Sequence, residues 1–574
     1  MSIDLVVRGG LVADGRGGDP IEADVAVEDG RIIAVGTVSG KGAQEIDASE
    51  RLVTPGFVDI HTHYDGQATW DSCLAPSSWH GVTTAVMGNC GVGFAPVHRQ
   101  DHERLIELME GVEDIPGAAL HEGLDWSWES FPEYLDALSR HPHDIDFCAQ
   151  LPHGALRLYV MGERGARLEP ATAADEAEMR KLTTQAIRAG AIGFTTSRTR
   201  NHRTVTGDPT PSLRASASEI EAIASGVADA GQGVLEIISD FHPDRDAELA
   251  LVRSLVTISG RPLSVSLAQN HRHPDGWRHL LEAVATMASE GLPVRAQVAP
   301  RPIGVLLGLQ ASMHPFSGHA TYRSIRSKPL AEQVRAMHDP AFRSQLLSEP
   351  PDRGHVRVDY ARTFPLGDPP DYEPAAETSL AAIAATQSIE PAVLAYDLLL
   401  EDDGRSFLFA PFSNYADMNL DACGEMLAHA DTVVGLGDGG AHVGLISDAS
   451  FPTFLLSHWG RDRSHGRFEL GWLVEQLTSR PAGTVGLRDR GVIALGMRAD
   501  LNVIDFDRLQ CERPTMAYDL PAGGKRLLQP ATGYTATIVA GQVIARDGVA
   551  TGALPGRLVR GPQPDPRSEY GSRS

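Results

Sequence analysis

Two histidines one residue apart, His61 and His63, close the apolar run PGFVDIHTH, and Asp65 follows them. On a strand, positions i and i+2 point to one face, so the two imidazoles are presented together. Imidazole suits zinc and its first-row neighbours. The chemistry such a pair offers is that of a metal site. An isolated H-x-H occurs often as two surface or core histidines, so its meaning depends on the elements around it.

Those elements alternate. ADEAEMRKLTTQAIRAG has helical period with Gly190 at its end, and AIGFTTS (191–197) follows as a strand. SEIEAIASGVADAG comes next, with Ser218 and Glu221 spaced as a capping box, then the strand GVLEIIS (233–239). Two further helix–strand units end in PLSVSLAQ (262–269) and PVRAQVA (293–299). With strands near 55–60, 82–87, 145–150 and 432–437, the count fits an α/β fold of the (β/α)8 barrel type. A doubly wound open sheet is the alternative. In a barrel, His61 and His63 sit at the C-terminal end of the first strand, the end that carries active sites.

Both chain ends read as short strands. IDLVVRGGLVAD and ADVAVEDGRIIAVG turn at glycines, and ADLNVIDFDRL (499–509) and YTATIVAGQVIARDGVATG (534–552) behave alike. The expected organisation is a small β-sandwich from residues 1–54 plus 490–560. A barrel spans 55–489 with a proline-rich, irregular lid around 300–430, and a polar tail covers 561–574.

The formal charge of −25 argues against binding to nucleic acid or an anionic membrane, which need clustered cations. No apolar run is long enough to span a bilayer and no signal peptide precedes the first strand, so a cytoplasmic location is the expectation. The five cysteines lack a C-x-x-C pair, which argues against a disulfide framework. A homo-oligomer is left open.

Three segments together resemble the amidohydrolase superfamily: GFVDIHTH, GVTTAVMGNCGVGFAPV (81–97) and GVIALGMRADLNVID (491–505). The GNCG block is similar to that of its N-acyl-D-amino-acid deacylase (D-aminoacylase) branch. The resemblance implies His61, His63 and Cys90 as metal ligands. It implies that Asp438, in VVGLGDGGAH, binds metal and shuttles the proton. It also implies histidines on strands five and six, where this chain has none. Glu236, an acidic residue in an apolar strand and costly there unless paired or coordinated, and His271 are the substitutes to test. The divalent metal, with zinc as first choice, is therefore one ion or two.

An N-acyl amino acid carries a carboxylate, so an arginine clamp is expected. The loop after strand four offers Arg198, Arg200, His202 and Arg203 for a small-molecule substrate, and His442 lies four residues past Asp438. The branch's tyrosine-containing loop after strand four and its HPR segment after the aspartate are both absent. The expected reaction is metal-dependent hydrolysis of a linear amide, with Asp438 taking a proton from water and returning it to the leaving amine. A cyclic amidase or lactonase, or a barrel retained only for binding, are the competing readings.

Overall fold

A computed structural model describes residues 3–241, 244–352 and 357–566. Eight parallel strands run in chain order: β1 (Phe57–Asp59), β2 (Val82–Met87), β3 (Asp146–Pro152), β4 (Gly193–Arg198), β5 (Val234–Ser239), β6 (Leu263–Ser266), β7 (Val294–Val298) and β8 (Thr432–Val434). Each pairs with its neighbour in sequence, as in Glu236 opposite Ser264 and Gln297 opposite Val433. Strands such as VTTAVM are buried along their whole length, as a parallel sheet covered on both faces requires. That is why they read as unbroken apolar runs.

Closure comes from the segments beyond β1 and β8. Thr62 bridges Gly439 in parallel fashion; Asp438 N donates to His61 O at 3.0 Å and His63 N to Gly439 O at 2.7 Å. Gly439 has no room for a side chain, because a Cβ there would lie 2.4 Å from Ser77 Oγ and 2.8 Å from the Tyr64 hydroxyl. The residues that close the barrel are those expected to carry the chemistry.

The helix Ala217–Ala230 corrects one detail. Its cap is Ser216, whose side chain accepts from Glu219 N, rather than Ser218 with Glu221. The two pairs share one spacing, and the chain takes the earlier one.

Strands from both chain ends form one nine-stranded sheet, in which Leu52–Pro55 lies antiparallel to Leu501–Ile504 with Val53 opposite Val503. It encloses its own apolar core of Leu5, Val7, Val25, Ile46, Leu501 and Ile538. A buried ion network ties this return to the foot of the barrel. Asp146 accepts from Arg490 at 2.7 Å and from Arg498 at 3.0 Å, and Arg490 also reaches Thr84 at 2.9 Å. The tail runs back along the barrel, with Gly556 N on His143 O and Val559 N on Phe147 O, both 2.8 Å. Residues 567–574 of the expected tail lie outside the described residues.

The segment between β7 and β8 is more regular than its prolines suggest. It holds Ile303–Leu307 antiparallel to Leu408–Ser413, several helices, and a separate core around Phe316, Tyr322, Met337, Tyr396 and Leu399. It is pinned to the barrel by Glu373, which accepts from His458 Nε2 at 2.6 Å, Arg463 Nη2 at 2.9 Å and Leu420 N at 2.8 Å. Burial would raise the Glu373 carboxyl, but these donors hold it down at about 2. A depressed carboxylate stabilises the fold above its unfolded value near 4.5 and loses that contribution as pH falls toward 2. Glu373→Gln is therefore expected to be about 3 kcal/mol less stable than the parent at pH 7. Urea unfolding of both chains at pH 7 and pH 3 checks this: the gap should narrow at pH 3, and a gap independent of pH would refute it.

Candidate metal centre

His61 and His63 stand just past β1, where the chain turns onto the C-terminal mouth. Both are 1% exposed, and their rings meet edge-on with centroids 5.5 Å apart. Cys90 follows β2 on a short turn opened by Gly88, and its Sγ lies 3.4 Å from His61 Nε2. Donor atoms of His61, His63 and Cys90 all fall within 4.8 Å of one another. Asp438 lies beside this trio: its Oδ1 is 3.3 Å from His61 Nε2 and 3.6 Å from His63 Nε2. Cys90, Asp438 and His442 each adopt left-handed backbone, with φ of 56°, 47° and 49°. Such strain, about 1–3 kcal/mol per residue, gathers at functional sites.

Glu236 points inward from β5, and its Oε1 lies 2.7 Å from His61 Nδ1; Gln297 Oε1, from β7, is 3.2 Å from the same nitrogen. The Gln297 amide donates to Ser264 on β6 at 2.8 Å. The inner faces of β5 and β6 thus carry a carboxylate and a hydroxyl near the histidine pair. His271 lies elsewhere, within the fields of Arg362, Asp359 and Asp417.

The electrostatics follow from burial and mutual charge. Desolvation works against the charged His61, but Glu236 and Cys90 raise it well above its ordinary value. Burial lowers His63 and pushes the Cys90 thiol up. Burial would also raise Asp438, yet His63 beside it at 3.6 Å and the charges of His61 and His442 hold it well below the carboxylate range. Asp59, which accepts from His61 N at 3.0 Å, is driven by burial up to about 7.

A divalent cation fits these residues. Both nitrogens of His63 and both oxygens of Glu113 are buried without a hydrogen-bond partner among the described residues. Leaving such groups unmatched costs about 1–3 kcal/mol each. Imidazole, thiolate and carboxylate together are a donor set that zinc accepts.

The expected substrate residues divide. His442 and His202 converge on the site. His442 Nε2 is 3.5 Å from Glu113 Oε2, and His202, within the fields of His442, His63 and Asp438, is pushed down to about 3, chiefly by burial. His202 Nδ1 also meets Ser197 Oγ at 2.9 Å. Arg198 is engaged elsewhere: Glu248 takes its Nη2 at 2.7 Å and Ala215 O its Nη1 at 2.9 Å. Its role as a free clamp gives way to this pairing, because a carboxylate already neutralises the guanidinium. Arg200 is exposed, and its backbone N donates to Asp240 at 2.9 Å.

Glu113 was missed by sequence reasoning. It ends the helix His102–Glu113 and lies 3.4 Å from His63 Nδ1. A signal was present, since Glu113 falls four residues after Met109 and eight after Leu105, on the buried stripe.

Barrel, closing turn and donor cluster are those of a metal-dependent hydrolase, with the candidate site at the C-terminal mouth. The chain belongs to the amidohydrolase family, whose profile matches residues 44–545; such enzymes hydrolyse non-peptide carbon–nitrogen bonds. It is 26% identical over 522 residues to a D-aminoacylase of Alcaligenes xylosoxydans xylosoxydans, covering 89% of this chain and 91% of that protein. An N-acyl-D-glutamate deacylase of the same organism is 27% identical over 531 residues, 90% of each. Among solved structures, a D-aminoacylase has a TM-score of 0.65 at 23% identity, covering 97% of this chain and 100% of its own. An N-acyl-D-glutamate deacylase from Bordetella bronchiseptica, complexed with zinc and a phosphonate inhibitor, has a TM-score of 0.62 at 24% identity, covering 98% and 100%. At these identities the structural likeness establishes the fold.

Proposed function

We propose that the protein hydrolyses the amide bond of an N-acyl amino acid, with one zinc ion held by His61, His63, Cys90 and Asp438. The observation that carries this reading is the buried cluster at the mouth: donor atoms of His61, His63 and Cys90 lie within 4.8 Å of one another, and Asp438 Oδ1 is 3.3 Å from His61 Nε2 and 3.6 Å from His63 Nε2. Lewis acidity, which lowers the pKa of water and polarises a carbonyl, is what such an ion supplies. Asp438, held as an anion, accepts the proton of the attacking water. It then returns that proton to the leaving nitrogen, which departs poorly unless protonated. His202, kept neutral, offers a hydrogen bond toward the acyl oxygen. The exposed Arg200 and Arg203 are the remaining candidates for the substrate carboxylate.

The names of the relatives favour a D-amino acid. The domain division at residues 54, 490 and 560 belongs to the same reading, with the terminal sheet as a support for the barrel. The test is turnover of the zinc-loaded protein on N-acetyl-D- and N-acetyl-L-amino acids, alongside hydantoins and lactones. Hydrolysis of N-acetyl-D-amino acids above all others is expected. Preference for hydantoins or lactones would replace this reading with a cyclic amidase or lactonase.

A further inference from the structure

We propose that Glu113 is a positioning residue that fixes two site histidines at once, His63 and His442, and thereby sets how tightly the centre holds its ion. This rests on the single-ion reading above. His61 and His63 each direct Nε2 toward Asp438 Oδ1, at 3.3 and 3.6 Å. Each turns Nδ1 toward a buried carboxylate, Glu236 at 2.7 Å and Glu113 at 3.4 Å. An imidazole that binds metal through one nitrogen donates from the other, and a carboxylate there selects the tautomer and locks the ring. The pattern is the same on both histidines, although one carboxylate comes from β5 and the other from the helix end after β2.

Glu113 is placed to act in both directions. It is 1% exposed, and neither oxygen has a hydrogen-bond partner among the described residues. Its second oxygen lies 3.5 Å from His442 Nε2, and its backbone carbonyl accepts from His442 N. The next residue, Asp114, accepts from Gly444 N at 3.1 Å and from Ser312 Oγ at 3.0 Å. The helix end therefore holds the whole turn that follows Asp438. That turn has no slack, since a Cβ on Gly444 would stand 2.0 Å from Ser312 Oγ and 2.8 Å from Asp114 Oδ2.

Calorimetric titration of the metal-stripped protein with zinc tests the inference, with the thermal midpoint of each stripped form measured beside it. The wild type should take one ion per chain. Glu113→Gln should keep the stripped midpoint near the wild-type value, because Gln is isosteric with Glu and adds no buried charge. It should bind zinc about 10–100-fold more weakly. Glu113→Asp keeps the carboxyl group and should recover part of that loss; it also serves if the Gln variant does not fold. Unchanged zinc affinity in Glu113→Gln, with one ion still bound, overturns the role of Glu113 and leaves the metal centre standing. A fall from two ions to one also overturns it, by making Glu113 the ligand of a second ion. A wild type that takes up no zinc removes the metal reading and this inference with it.

Discussion

Asp438→Asn is expected to lower kcat on an N-acyl amino acid by about 10²–10⁴-fold, the range general acid–base catalysis supplies. Asn is the informative substitution. It keeps the shape and one oxygen, and it tolerates the left-handed backbone that Asp438 adopts at φ 47°. The closing bond from Asp438 N to His61 O involves only the main chain, so the barrel stays shut. What disappears is the anion held between His61 and His63, and with it the group able to take up a proton and give it back. Zinc content must be measured in the same preparation, because Asp438 is also a proposed ligand. Near-normal turnover with unchanged zinc content would sink the assignment.

Asp146→Ala should be the largest single loss of stability, about 3–5 kcal/mol. Asp146 is fully buried and its two oxygens meet two arginines, Arg490 at 1% and Arg498 at 11% side-chain exposure. Removing the carboxylate leaves both guanidinium groups short of their shared counter-charge at the foot of the barrel. Asp489 still faces Arg490 at 2.9 Å and Asp500 faces Arg498 at 3.1 Å, which limits the damage to that range. The site, at the opposite end of the strands, should keep its zinc affinity in the folded fraction. Urea unfolding reads the first effect and calorimetry the second. A stability loss below about 1 kcal/mol would show that the remaining aspartates suffice.

The eight barrel strands were readable because parallel strands buried on both faces appear as apolar runs separated by helical periods. His61, His63, Cys90 and Asp438 were readable for a different reason. Each sits in a short motif whose local backbone, a strand end or a glycine-flanked turn, is encoded by adjacent residues. Glu236 stood out as a charge in an apolar strand. Glu113 did not stand out, because its importance depends on where the helix His102–Glu113 ends in space. Arg198 looked free because Glu248, which neutralises it, lies fifty residues on, in the helix Arg245–Ser259 after β5. The 300–430 segment looked irregular because its prolines obscured a core assembled from residues far apart in the chain.

The sequence by itself determined the kind of protein: the strand count, the return of the chain into a terminal sheet, and a candidate metal corner of two histidines and a cysteine. Those features are local, written in periodicity and in motifs a few residues long. Only the tertiary structure decided how the corner is used. It brought Asp438 between the two imidazoles by closing the barrel through residues 61–63 and 438–439. It also placed Glu236 and Glu113 behind them, one on each Nδ1. Burial then gave those contacts their force, because a charge removed from water acts strongly on its neighbours and no sequence pattern measures that distance.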